Sequence, residues 1–339
     1  MKYKLNELPV KTTNNFKIND LEIELDLNEL NTNKLYSVEG IEVKQQIKED
    51  NLTSKVGLTF SKYLEVLINV DKIVKEPVVI NYDFNNRDSL ISKIIINYKE
   101  NTSCDFIIKY KSLDDFKHFN YLVECVNVDE NSTGSITYIN NLNSNSTNIM
   151  SFEGKVLENS NLKHNLVDLS GKVRIYNSYL ESTEYKSKNT FYNVYIGKND
   201  SIIDMNYYLK NIGKNSCNCL KVEGVLDDNS KKNFRGTLDF IKDSKNSIGE
   251  EYENCLLLSD SAVSRSLPMM LCHEEEVNGT HAESTGKISE DKLFYLMCRG
   301  MSESDAKKLI IKSNFTTIID KISDNKTKEE VLELIDKLL

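Results

Sequence analysis

Short stretches in which apolar and polar residues alternate fill most of the chain between residues 78 and 271. The stretches at 94–98, 106–110, 135–139, 173–177 and 202–208 show the pattern, with Asn, Ser, Asp or Gly residues between them. A period of two is typical of β-strands, whose side chains point alternately to the two faces of a sheet. No helical pattern separates these stretches, so a sheet built from βαβ units is disfavoured.

The pattern leaves a β-sandwich, a barrel and a β-solenoid open, because no sharp repeat is visible. Asn278-Gly279 is the one clear Asn-Gly or Asp-Gly pair, and this scarcity of tight hairpin turns favours a solenoid with broad corners. Residues 1–70 contain short alternating segments at 21–25 and 35–38. A weak helical signal covers residues 60–70.

The pattern changes after residue 286, where three short amphipathic helices are predicted. Ser289 is suited to cap a helix over residues 290–299, and Gly300 is suited to end it. Ser302 and Asp305 have the spacing of a capping box at the start of the second helix. Thr327 is expected to cap the last helix.

Charge and hydropathy narrow the class of protein. The 339 residues carry a formal net charge of -9, which argues against a general nucleic-acid-binding protein. No apolar run reaches the roughly 18 residues of a membrane span, and the first residues lack the apolar core of a signal peptide. A cytoplasmic location is therefore expected, in which the seven cysteines are free and mostly buried thiols.

Motifs that carry catalysis or firm metal binding are missing. The sequence has no Gly-rich phosphate loop, no G-x-S-x-G and no H-E-x-x-H, so we expect no enzyme activity and no ATP hydrolysis. Cys272 and His273 point to opposite faces of a strand, which disfavours a shared metal ion. Cys217 and Cys219 have no second pair, so packing in the solenoid core is favoured, as is burial of Cys298.

Several segments in the last third of the chain resemble the SufB/SufD family, the scaffold subunits of the SUF iron–sulfur cluster assembly system. They are FRGTL at 234–238, NCLLLSDSA at 254–262, VNGTHA at 277–282, SEDKLFYL at 289–296 and the R-G-M-x-x-x-x-A run at 299–306. The match is strong over residues 230–312, and the 254–262 segment is similar to SufD. A short SufD-like form with a reduced N-terminal region is expected.

The resemblance implies a mainly β fold, a right-handed parallel β-helix with a small C-terminal helical domain. On this basis residues 1–75 are short strands leading into the core, 76–286 form the β-helix, and 287–339 form a helical domain that docks a SufC-type ABC ATPase. The residues expected to face that ATPase are Phe294, Tyr295, Met297, Arg299, Gly300 and Met301. Packing of the helices on one another is the alternative use of these side chains.

The resemblance also places His281 at the interface where SufB and SufD pair and the nascent cluster forms. An imidazole can ligate iron, whereas a histidine satisfied by hydrogen bonds is the structural alternative. Cys255 lies two residues from the position of the SufB scaffold cysteine, which falls on Glu253. A buried apolar role is expected for Cys255, and Thr280 and Ala282 replace the glutamates that flank the SufB histidine. These differences favour the SufD role.

The sequence therefore predicts a non-catalytic SufD-like subunit that pairs with a SufB-like paralogue and binds SufC. It is expected to hold no cofactor stably by itself, although a transient Fe–S cluster can form in the complex. One alternative is a SufB-like scaffold that holds the cluster itself with Cys255 and His281, with a homodimer as one form of this alternative. Another is a β-helix polysaccharide lyase or adhesin, which the missing signal peptide disfavours.

Overall fold

The computed structural model describes residues 1–12, 17–25 and 43–339. The strands are β1 (Lys2–Leu5), β2 (Leu21–Glu24), β3 (Val43–Lys48), β4 (Leu52–Thr53), β5 (Thr59–Phe60), β6 (Tyr63–Val70), β7 (Val78–Phe84), β8 (Ser89–Tyr98), β9 (Ser103–Ser112), β10 (Phe119–Val128), β11 (Thr133–Asn141), β12 (Thr147–Val156), β13 (Asn161–Ser170), β14 (Val173–Ser182), β15 (Lys188–Gly197), β16 (Ile202–Asn211), β17 (Cys217–Leu226), β18 (Lys231–Phe240), β19 (Ile248–Leu257), β20 (Val263–Cys272) and β21 (Asn278–Lys287). The helices are α1 (Glu290–Cys298), α2 (Glu303–Ile319) and α3 (Asn325–Leu338).

Two parallel sheets face each other and form a β-solenoid. Even-numbered strands from β6 to β20, with β3 at the far edge, make a nine-stranded sheet, and odd-numbered strands from β7 to β21 make an eight-stranded sheet. Each coil therefore contributes one strand to each sheet. The solenoid and the three C-terminal helices confirm the fold predicted from the alternating pattern and the family resemblance.

The space between the two sheets, here called the lumen, holds the main apolar core. Alternate side chains of the strands from β6 to β21 point into it, as the period of two requires. Ile94, Tyr138, Phe152, Phe191 and Leu209 are examples, all fully buried. Stacking of coils buries each residue between the coils above and below it, which is how short strands with few apolar residues form one continuous core.

The corners of the solenoid carry a repeat that was not recognised from the sequence. At one corner Asn101, Asn131, Asn159, Lys186, Asn215 and Asn246 all have positive φ, and each is followed by a buried serine or threonine. Asparagine tolerates the left-handed region better than most side chains, so it replaces the glycine expected at such turns. The serine hydroxyls link the coils: the Thr102 amide donates to Ser132 Oγ at 3.1 Å, and the Ser132 amide donates to Ser160 Oγ at 3.0 Å.

The outward side of each sheet is covered by a different part of the chain. On the eight-stranded sheet, Ile139, Val167 and Val194 pack against Phe315 of α2 and Val331 of α3. On the nine-stranded sheet, the hairpins β1–β2 and β4–β5 lie over outward-facing residues that include Tyr121, Ile149 and Ile175. The helices and the N-terminal hairpins are therefore packed onto the solenoid and are not separate units.

The N-terminal hairpins also seal a buried ion pair on the outward face of the nine-stranded sheet. Arg235 pairs with Asp204, both are fully buried, and Arg235 donates to the carbonyl of Ile18 at 3.1 Å. Asn6, with φ of 56°, donates to Asp204 at 2.7 Å. These contacts tie the first residues of the chain to β16 and β18.

Some details differ from the sequence-based expectations. Residues 60–70 form most of β5 and β6, not a helix, because β6 pairs with β8 and its alternate side chains enter the lumen. The solenoid sheet therefore begins before residue 76, where the boundary of the core was placed. Asn278-Gly279 starts β21 and makes no hairpin turn. The segment predicted at 35–38 lies outside the described residues.

The helix caps agree with the sequence except in α3. Ser289 accepts from the Lys292 amide and Ser302 accepts from the Asp305 amide, as expected for caps of α1 and α2. Asp324, not Thr327, caps α3, and its carboxylate accepts from both the amide and the hydroxyl of Thr327. Among the described residues, no helix has the length and apolar content needed to cross a membrane.

Candidate functional site

The last coil of the solenoid, formed by β20 and β21, leaves one end of the lumen open. β20 is bonded only to β18 and β21 only to β19 among the described strands, so both are edge strands. Every residue of β21 except Gly286 is exposed. We call this surface the open end. Edge strands present unpaired backbone groups and are the usual place for another chain to add.

His281 lies in the middle of β21 and is exposed at the open end. Its register partner on β19 is Glu251, a buried residue whose side chain points into the lumen. His281 occupies the matching position on β21, so its side chain also starts from the lumen side of its strand. No further coil of the described chain lies above it. A histidine in this place is accessible to a molecule that covers the open end.

Cys255 is also a lumen residue, but the register separates it from His281. It is fully buried on β19, and its partner on β21 is Thr285, four residues beyond His281. At about 3.3 Å per residue the two positions lie about 13 Å apart along the strand. Burial raises the pKa of the Cys255 thiol, so the neutral thiol is favoured. The structure does not bring Cys255 and His281 together as a ligand pair.

Glu251 is the most unusual residue beneath the open end. It is fully buried, and neither of its carboxylate oxygens has a hydrogen-bond partner among the described residues. Its carboxyl group fills the space opposite Gly236, where an added Cβ would lie 2.0 Å from Glu251 Oε1. Burial, followed by the charges of Glu283 and Glu253, raises the pKa of Glu251 to about 8.

Glu253 is by contrast fully partnered. Its Oε1 lies 2.8 Å from Lys232 Nζ in a buried ion pair. Ser266 donates to the other oxygen at 3.0 Å, and the Tyr195 hydroxyl donates to Oε1 at 3.2 Å. Lys232 also lies 2.8 Å from Ser266 Oγ, so β18, β19 and β20 share one polar network.

Glu283 places a third carboxylate at the open end. It is exposed on β21 directly above Glu253 in the register. Partial burial, followed by the charge of Glu253, raises the pKa of Glu283 to about 7, although Lys232 opposes the shift. The end of the lumen therefore holds three carboxylates, one lysine and one histidine.

The C-terminal helices present a second surface. α1 has no buried residue, and Phe294, Tyr295 and Met297 are 69%, 57% and 42% exposed. Arg299 lies over the Tyr295 ring at 5.1 Å, and Gly300, with φ of 94°, ends the helix. Met301 is half-buried beside them. Large apolar side chains exposed together on one helix are typical of a contact surface.

Of the remaining cysteines, Cys104 is buried in the lumen core as expected, whereas Cys217, Cys219, Cys272 and Cys298 are not buried. Cys217 and Cys219 are on the outward face of β17 and are half-buried, because the lumen positions of that strand are Asn218 and Leu220. Cys272 and Cys298 are exposed. Across the described residues, no group of three or more His, Cys, Asp or Glu side chains has the geometry of a metal site.

The sequence pattern predicted the strand that carries His281 and the helix α1, but it did not single out the lumen carboxylates. The signal was present in Glu251 and Glu253, which alternate on one strand at positions that the period of two sends into the core. Charged residues at such positions are rare unless they are paired or functional. The partners of Glu253 come from other strands, Lys232 and Ser266 among them, and could not be predicted from β19 alone.

Comparison with known proteins gives a consistent result. The family model described as the SufBD core domain of the SUF system for FeS cluster assembly matches residues 81–314. The chain is similar to the iron–sulfur cluster assembly protein SufD of Bacillus subtilis, with 23% identity over 280 residues, which is 78% of this chain and 61% of that protein.

Two further relatives match over shorter stretches. SufD of Escherichia coli is 24% identical over 127 residues, 37% of this chain and 30% of that protein. A SufBD family protein of Pyrococcus horikoshii is 35% identical over 121 residues, 35% of this chain and 26% of that protein. The chain thus spans less than two thirds of the length of each of these relatives.

Proposed function

The chain belongs to the SufBD core family of the SUF iron–sulfur cluster assembly system, and from this premise we propose that it acts in the cytoplasm as a non-catalytic SufD-like scaffold subunit. In this proposal the open end pairs with a SufB-like paralogue, and the C-terminal helices bind a SufC-type ATPase. The nascent Fe–S cluster is the cargo of the complex, not a resident cofactor of this chain.

The observation that carries the proposal is the exposed His281 on an edge strand. The backbone hydrogen-bonding groups along one edge of β21 have no partner strand among the described residues, so a strand of a second solenoid can pair with this edge. His281 would then lie at the join between the two subunits. A neutral imidazole is a ligand that iron accepts, and in such a join it is accessible from the partner's side.

The position of Cys255 supports a SufD-like role over a SufB-like one. The thiol is fully buried and separated from His281 by the register of β19 and β21. Glu253, at the position of the SufB cysteine, is held by Lys232 and Ser266. Sulfur ligands for a cluster at this interface would therefore come from the partner subunit.

The exposed apolar side chains of α1 support the docking of the ATPase. Phe294 and Tyr295 are the most exposed large apolar side chains among the described helices. α2 and α3 are required to cover the eight-stranded sheet, whereas α1 buries none of its residues. Contact with a partner is then the use of α1 that leaves the solenoid intact.

The histidine is tested by His281→Ala in the complete complex of the chain with its SufB-like and SufC-like partners. We expect the rate of cluster assembly, measured by transfer to an apo-ferredoxin, to fall at least tenfold while the complex still forms. His273→Ala, which changes an exposed histidine in the turn before β21, is the matched control. Equal rates for the two variants would reduce His281 to a surface residue.

The docking surface is tested by the double variant Phe294→Ala/Tyr295→Ala. Affinity for the SufC-type ATPase is expected to fall at least tenfold, because exposed aromatic side chains often dominate binding energy. Leu309→Ala, at a 46% exposed apolar position on α2, is the control. Unchanged affinity of the double variant would remove α1 from the docking surface. Point variants are preferable to deletion, since loss of α2 and α3 would expose the sheet.

The SufB-like alternative has its own test. The purified chain alone is reconstituted anaerobically with iron and sulfide and examined by absorbance and Mössbauer spectroscopy. A stable cluster that Cys255→Ser abolishes would establish the alternative. Absence of a cluster without the partner is the expected result.

A further inference from the structure

The open end carries an unbalanced negative charge. Residues 259–287, which form the last coil and its corners, contain five acidic residues and two basic ones. Lys287 is paired with Asp260 at 2.5 Å, so Arg265 is the one basic side chain of the coil that has no carboxylate partner among the described residues. Just below, Lys232 is already paired with Glu253. Arg265 pairs in register with Asn233 and therefore lies on the outward face of β20, so within the lumen no described cation without a carboxylate partner faces Glu251 or Glu283.

Glu251 gives independent evidence that a buried carboxyl group near the open end lacks partners. A fully buried carboxyl group with two unpartnered oxygens is unfavourable, and it is relieved either by a proton or by a cation nearby. Gly236 leaves room for this carboxyl group, so the side chain is accommodated by the fold and not forced there by crowding. A proton from solvent relieves the free chain, whereas a cation at this place would have to come from outside the described chain.

A second copy of the chain is a poor source of that group. In a symmetric contact through the open end, the same patch of both copies would meet, and each would bring Glu251 and Glu283 with no spare cation. Closing the end would also remove water from these carboxyl groups, so each would have to keep its proton or meet a cation. A different subunit whose matching end carries lysine or arginine would remove both problems.

We propose that the open end selects a partner whose matching end carries uncompensated basic side chains, and that Glu251 and Glu283 act against pairing of the chain with itself. The inference rests on the proposal that the open end is a subunit interface. It adds the chemistry of the partner: a solenoid end bearing lysine or arginine opposite β21. The carboxylates are specificity determinants, because they disfavour the wrong partner as well as attract the right one.

Self-association is the first test. The full chain, the variant Glu251→Gln/Glu283→Gln and the control Glu130→Gln, which changes an exposed corner glutamate in a distant coil, are compared by sedimentation equilibrium at physiological ionic strength. We expect the double variant to dimerise at least tenfold more tightly than the other two. Equal self-association of the double variant and the wild type, whether weak or strong, would overturn the proposal.

Pairing with the SufB-like paralogue of the same genome is the second test, with two variants of β21. The Asn278 amide donates to Ser247 at 2.9 Å, so odd-numbered residues of β21 direct their backbone groups away from β19. Thr285→Pro removes one of these outward amides, and Glu283→Lys reverses a charge. We expect Thr285→Pro to abolish pairing and Glu283→Lys to weaken it at least tenfold.

The two variants separate the two ideas. If Thr285→Pro abolishes pairing while Glu283→Lys pairs as well as wild type, the interface stands and the charge selection is wrong. If Thr285→Pro pairs normally, the open end is not the interface and both proposals fail. Thermal unfolding of each variant verifies that it is folded.

Discussion

Two carboxylates lie buried in the same lumen and differ in what surrounds them. Glu124, in the middle of the solenoid, has one oxygen 2.7 Å from His164 Nε2 and accepts from the Tyr138 hydroxyl at 2.6 Å with the other. Glu251, one coil from the open end, has no partner for either oxygen among the described residues. Both are fully buried.

The difference shows which buried charge belongs to the fold and which belongs to an interaction. Glu124 is satisfied by strands β11 and β13 of the same chain, and the His164 ring also stacks on Phe191 at 5.6 Å. A buried carboxylate with both oxygens partnered in this way stabilises the coils that supply the partners. Glu251 has many coils on one side and only the last coil, formed by β20 and β21, on the other, so a molecule that covers the open end would complete its surroundings.

Removing Glu124, whose two oxygens both have partners, should have the largest effect on stability. Glu124→Ala leaves His164 and Tyr138 without their shared acceptor in the core, and the free energy of unfolding is expected to fall by about 3–5 kcal/mol. Urea denaturation measures the change. Glu130→Ala at an exposed corner is the control, expected within about 0.5 kcal/mol of wild type. Similar results for the two variants would contradict a structural role for Glu124.

The unpartnered carboxyl group of Glu251 should make the stability of the chain depend on pH. The pKa of Glu251 is raised to about 8 from its usual value of 4.5. Between these pH values the folded chain keeps a proton that the unfolded chain releases, so stability falls as pH rises from about 5 to 8 and then levels off. The decline attributable to Glu251 is expected to be about 2–4 kcal/mol. A flat profile over this range would show that Glu251 is partnered.

Replacing the unpartnered carboxylate should stabilise the isolated chain. Glu251→Gln removes a group that must ionise in an apolar site above pH 8, so the free energy of unfolding at that pH is expected to rise by about 1–2 kcal/mol. At pH 5 the variant and wild type should differ little. Destabilisation at both pH values would mean that the carboxylate makes a favourable contact in the free chain.

The smallest effect on stability is expected for the exposed histidine of the open end. His281→Ala should change the free energy of unfolding by less than about 0.5 kcal/mol, because the side chain is exposed. Diethylpyrocarbonate should modify His281 and His273 rapidly and spare His164, which is 1% exposed. Protection of His281 in the isolated chain would indicate that the open end is already covered, and protection only after adding the paralogue would support the interface.

The extent of sequence-based prediction differs between the fold and the site. Alternation of apolar and polar residues is local, so strands such as β8, β14 and β16 could be read directly. The helices and most of their caps could be predicted for the same reason, because they too depend on residues close together in the sequence. Residues 60–70 were misread because β6 is rich in leucine and valine, which helices and buried strands both accept, and only its pairing with β8 decides the matter.

The burial of cysteines shows the same limit. The sequence shows that Cys217 and Cys219 lie on the same face of β17. Which of the two faces points into the lumen depends on how the strand stacks on its neighbours. Cys217 and Cys219 therefore lie on the outward side although small apolar residues are usually expected inside. Cys272 is exposed because no coil follows β20 at the open end.

By itself the sequence determined the strand period, the C-terminal helices and the family motifs around His281, because each of these depends on residues near one another in the chain. The tertiary structure decided which residues meet. It separated Cys255 from His281 by strand register, joined Lys232 to Glu253, and left Glu251 buried without a partner. The physical reason is that contacts in a solenoid join residues about one coil apart, so the partners of a lumen side chain are set by the stacking of coils and not by its own strand.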